Sequence, residues 1–85
     1  MMNNKALVEI TIPASGQKYD VYVPLDSKMS DVVKMVANAL SDLSDGSFKA
    51  TDEAILCDAE TGIIFNVNME VAELGIKTGS RLMLI

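Results

Sequence analysis

The sequence predicts an α+β fold in which one helix covers one face of a mixed sheet, with elements in the order strand, strand, helix, strand, strand, strand. Three observations carry that expectation. Residues 6–23 alternate apolar and polar side chains with period two, residues 28–43 switch to a helical period, and the apolar runs after them are short and interrupted by glycine. With 85 residues the chain has room for one core, so residues 1–85 are expected to form a single domain.

The first strand is read in "ALVEITI", residues 6–12. Val8, Ile10 and Ile12 share one face, Leu7, Glu9 and Thr11 the other, and Pro13 ends the run. After the turn "PASGQK", Tyr19, Val21 and Val23 repeat the alternation up to Pro24, and the short Gly-containing connection implies an antiparallel hairpin. In the next stretch Met29, Val32, Val33, Val36, Leu40 and Leu43 form one helical stripe. Ser27 is the expected N-cap, Asp31 suits the positive end of the helix dipole, and Gly46 is the expected stop. Two strands are then predicted at residues 54–58 and 63–67 around a turn with Gly62, a helical turn at 71–74, and a last strand in "SRLMLI".

A leading hairpin, a crossing helix and a returning last strand make up the β-grasp (ubiquitin-like) arrangement. In it the last strand lies in the middle of the sheet, parallel to the first. Leu82 and Leu84 are then expected to point at the helix stripe.

The segments "VEITIP", "YDVYV", the amphipathic helix and "ELGIKTGSRLMLI" resemble the YukD/EsaB family, small bacterial ubiquitin-like proteins of type VII (WXG100/ESX-type) secretion systems. The resemblance runs from about Leu7 to Ile85, and its most distinctive piece is Leu74-Gly75-Ile76 followed by Gly79 and Arg81-Leu82. Ser80 stands where the family commonly has Asp, and both residue types can hydrogen-bond nearby backbone. The resemblance implies a cytoplasmic accessory protein that acts by docking. Its expected partner is a protein of the secretion machine, such as the ATPase or a membrane subunit, which would recruit it to the inner face of the membrane.

Composition narrows the chemistry. Seven Lys and Arg against twelve Asp and Glu give a net charge of −5, which opposes nucleic acid and anionic membrane surfaces as partners. "VVKMVANAL" is too short and too interrupted to insert in a bilayer, and the N-terminus lacks the apolar core of a signal peptide, so a cytoplasmic location is expected. Histidine is absent, so the commonest general base and metal ligand are missing; no catalytic residue, metal or cofactor is expected. Cys57, the sole cysteine, alternates with Ile55 and is expected to face inward as a small hydrophobe. "DLSDGSFKATDE", residues 42–53, has the length of a calcium loop, but Ser44, Gly46 and Ser47 stand at its third, fifth and sixth positions, where two oxygen ligands and a glycine belong. A solvated acidic loop is the expectation there.

Sulfur carriers and ubiquitin-type modifiers work through a flexible tail ending in Gly-Gly, whereas this sequence ends on Ile85; conjugation is therefore disfavoured, and a regulatory β-grasp module unrelated to secretion is the other alternative. With Leu82 and Leu84 inward, Met83 and Ile85 point outward, joined by Leu56 from the neighbouring strand, with Leu7 and Tyr22 at the margin. These five residues are the candidate protein-interaction surface, for a partner or for a homodimer. Met35, off the helix stripe, is a smaller apolar spot.

Overall fold

The computed structural model describes residues 4–44 and 53–85. Strand β1 (Lys5–Ile12) and strand β2 (Gln17–Pro24) form the hairpin, in register from Lys5 opposite Pro24 to Ile12 opposite Gln17. Helix α1 (Met29–Leu43) follows, then β3 (Leu56–Asp58), a 3-10 turn (Ala72–Leu74) and β4 (Arg81–Leu84). The sheet order is β2-β1-β4-β3, with β4 parallel to β1 and antiparallel to β3. The last strand is thus central, paired on both sides, and the fold is β-grasp.

The core lies between the sheet's inner face and the helix. Val8, Ile10 and Ile12 of β1, Val23 of β2, and Leu82 and Leu84 of β4 meet Met29, Val32, Val33, Val36, Ala37 and Leu40 of the helix. Burying each Leu, Ile or Val contributes about 1.5–3 kcal/mol, so this cluster is the main source of stability. Leu43 points along the same stripe yet is 59% exposed, because it lies on the last helical turn, beyond the part that packs on the sheet.

Ser27 does not cap the helix. The N-cap is Lys28, in extended conformation and with no side-chain cap bond. Main chain replaces it: the Met29 N–H donates to the Met69 carbonyl (2.8 Å) and the Ser30 N–H to the Val67 carbonyl (2.9 Å). Two orphan donors of the first turn are thereby satisfied from the far end of the sequence. The expected helix stop at Gly46 and the acidic loop around it lie outside the described residues.

The strand expected at 63–67 is reduced to one bridge, Ile64 opposite Cys57. On one side of that bridge the Asp58 N–H donates to the Ile63 carbonyl (2.9 Å), and on the other the Phe65 N–H donates to the Leu56 carbonyl (3.2 Å). Pairing then stops, because the Asn66 side chain accepts from the Asn68 N–H (2.9 Å) and its carbonyl accepts from the Met69 N–H (3.2 Å), turning the chain.

The entry to β4 is a tight turn stitched to β1. The Lys77 N–H donates to Ser80 Oγ (3.0 Å), the Gly79 N–H to the Leu7 carbonyl (3.0 Å), and the Leu7 N–H to Thr78 Oγ1 (3.1 Å). Ser80 thus makes the local backbone bond expected of it. Gly79 has φ +97°, which a side chain tolerates poorly, and an added Cβ there would meet nothing within 4 Å. Gly79→Ala is therefore expected to cost about 1–2 kcal/mol through backbone strain alone, read as a lowered urea midpoint.

Candidate protein-docking face

The sheet face away from the helix can be built row by row from the strand registers. One row runs Lys18, Thr11, Met83, Cys57 and Ile64, and the next towards the end of β4 pairs Ile85 with Ile55. That last pair exchanges both main-chain hydrogen bonds, each 2.9 Å. In the opposite direction lies a charged row of Asp20, Glu9 and Arg81, and beyond it Tyr22 opposite Leu7.

This geometry revises the candidate surface. Leu56 is 1% exposed and belongs to the helix-side core, directly opposite Leu84. Its expected outward position was wrong by one step of the alternation; Cys57 is buried as expected, but shares the row of Met83 and Ile64 rather than facing the helix. A three-residue strand is too short for its own period to fix which face is buried; pairing with β4 fixes it. Met83 and Ile85 do sit together on the outer face, Ile85 58% exposed and Met83 half-buried. Leu7 and Tyr22 sit four residues further along β1, about 13 Å away, with the charged row between. The residues that sequence reasoning missed are Ile55 and Ile64, both exposed beside Met83 and Ile85. The only sequence signal for them was their apolar character.

Cys57 lies under this apolar group, 1% exposed, with its Sγ 3.8 Å from the Met83 carbonyl oxygen. Burial pushes its thiol pKa up, and the Asp58 carboxylate adds to the rise. The thiol therefore stays protonated and is a poor nucleophile. Thiol reagents at pH 8 are expected to label the native protein at least about 100-fold more slowly than the urea-unfolded chain. Because the folded pKa is raised, the associated stability is fully present below the unfolded value of about 8.5 and is lost as pH rises towards the folded value. Cys57→Ala should flatten that alkaline decline in a series of melts from pH 7 to 10.

A polar depression of about 290 Å³ borders the charged row, lined by Asp58, Glu60, Lys77, Thr78, Gly79, Ser80 and Arg81. Its charges are largely matched internally. Arg81 pairs with Glu60 at 2.7 Å, and Asp58 Oδ1 accepts from the N–H groups of Glu60 (2.7 Å) and Thr61 (3.1 Å). Among the described residues no three His, Cys, Asp or Glu side chains are grouped so as to hold a metal ion. No helix among them is long and apolar enough to cross a membrane.

The family model for YukD, described as a protein of the WXG100 protein secretion system, matches residues 7–84. The chain belongs to the YukD family. No curated protein sequence matches it significantly. Among solved structures, the ubiquitin-like domain of the Mycobacterium tuberculosis type VII secretion protein ECCD1 is similar, with TM-score 0.78 and 17% identity over 99% of each chain. The EccD5 ubiquitin-like domain of Mycobacterium xenopi has TM-score 0.69 and 20% identity, covering 98% of this chain and 94% of that one. A chain of an ESX-5 inner membrane complex has TM-score 0.72 and 19% identity over 98% of this chain, which spans 21% of that chain's length. These likenesses establish the ubiquitin-like fold, and the family match adds type VII secretion.

Proposed function

We propose that this YukD-family chain is a non-enzymatic docking module of a type VII secretion system. It acts in the cytoplasm and binds a protein subunit of the machine through the outer sheet face formed by Met83, Ile85, Ile55 and Ile64. The observation that carries this reading is the convergence of those side chains over a buried Cys57, on the face that the helix leaves open. Apolar side chains at the centre with charge at the margin, here the Asp20, Glu9 and Arg81 row, suit a protein partner. The buried, protonated thiol supports a role without covalent chemistry. That a similar chain is part of an ESX-5 inner membrane complex makes a membrane subunit or the secretion ATPase the partner of choice, which would draw this chain to the inner face of the membrane. Leu7 and Tyr22 flank the surface and are expected to contribute less.

The test is direct binding of the purified chain to the purified ATPase and membrane subunits of the same secretion system. Micromolar binding to one of them that is lost in Ile85→Asp is the expected result; no binding to any of them would sink the secretion-docking reading.

A further inference from the structure

Among the described residues no strand pairs with the outer edge of β2, and the chemistry of that edge is specific. The Glu9 N–H and the Leu7 carbonyl point at the β4 side, so by strand alternation Val8 and Ile10 bond to β2 through their partners Val21 and Tyr19. The main-chain groups of β2 that face outward are therefore those of Lys18, Asp20 and Tyr22. Their side chains lie on the outer face of the sheet, and all three are exposed. Asp20 stands directly opposite Glu9 in a closely spaced pair, an arrangement in which like charges are destabilising. Among the described residues neither Lys18 nor Asp20 has an ion-pair partner.

We propose that two copies of the chain pair antiparallel along β2 about a two-fold axis at Tyr19, joining their sheets edge to edge. Charge selects both the occupant and the register. An axis at Lys18 or at Asp20 sets a charge against its own copy. An axis at Val21 sets Lys18 against Pro24, which has no N–H to donate. With the axis at Tyr19, Lys18 meets Asp20 of the second copy twice over, each pair exchanging its main-chain hydrogen bonds, and the incoming lysine offsets the Glu9–Asp20 repulsion. On the opposite face the half-buried Tyr19 rings meet at the axis, a favourable aromatic cross-strand pair. Alternating charges on an edge strand usually block pairing; this alternation blocks the neighbouring registers and admits one. The edge lies on the far side of the sheet from β3, so it leaves the Met83–Ile85 surface open.

Sedimentation equilibrium of the full chain at low salt, from about 20 µM to about 1 mM, reads the association. A weak reversible dimer is expected, with Lys18→Asp and Asp20→Lys each raising Kd about tenfold and the double exchange Lys18→Asp/Asp20→Lys restoring it. Asp20→Lys also removes the repulsion with Glu9, so it should raise the urea midpoint of the monomer while weakening the dimer, a combination that a merely structural effect would not produce. A chain that stays monomeric at about 1 mM, a dimer indifferent to the single reversals, or a double exchange that fails to restore it would overturn the proposal. So would a dimer abolished by Met83→Asp alone, which would place the contact on the outer face.

Discussion

Replacing Leu84 by Ala is expected to cost about 2–5 kcal/mol and to come close to unfolding the protein. Leu84 is fully buried on the central strand, opposite Leu56 and within the cluster that faces the helix. Removing its isobutyl group loses transfer free energy and leaves a void between strands that are hydrogen-bonded on both sides and cannot close over it. A domain of this size has only about 5–10 kcal/mol in total, so the urea midpoint should fall by about 2–3 M with an unchanged slope. A drop of less than about 0.5 M would mean that the core is not organised around β4.

The second large effect is on binding. On the docking proposed above, Ile85→Asp should weaken association with the partner protein by about 30- to 100-fold while changing stability by less than about 0.5 kcal/mol. Ile85 is exposed in the free chain, and its hold on the sheet comes from main-chain bonds to Ile55 that the substitution retains. The introduced carboxylate is tolerated in water but would be desolvated against an apolar partner. Ile55→Asp should behave alike. Leu56→Asp, one residue along, places a charge among the helix-facing side chains and should unfold the protein. Calorimetry of binding beside urea titration separates these outcomes. If Ile55→Asp unfolds the chain and Leu56→Asp does not, the assignment of faces on β3 is reversed.

That adjacent pair marks where the sequence stops being legible. The hairpin and the helix could be read because each is long enough for its own period to show: eight residues in β1 and in β2, fifteen in α1. The central place of the last strand followed from element order. By contrast, β3 has three residues, and "AILCD" is apolar on both faces, so only its partner strand decides which side is core. The candidate surface inherited that ambiguity; it gained Leu56 wrongly and lost Ile55 and Ile64. Residues 63–67 have strand-like composition, but the turn at Asn66 wins over continued pairing. Ser27 satisfied the local rule for a cap and was displaced by carbonyls that no local rule could bring there.

Those carbonyls tie the beginning of the helix to a loop that arrives much later in synthesis. Met29 and Ser30 find their acceptors at Met69 and Val67, and the Val71 N–H returns a bond to the Ser27 carbonyl (3.0 Å). The first helical turn is therefore completed only once the chain beyond β3 has come home. A helix nucleated on its own would fray from that end, so the helix and the late loop must gain and lose order together. The segment that precedes β4 acts as a latch, so the helix and the strands it covers are expected to melt together rather than by halves.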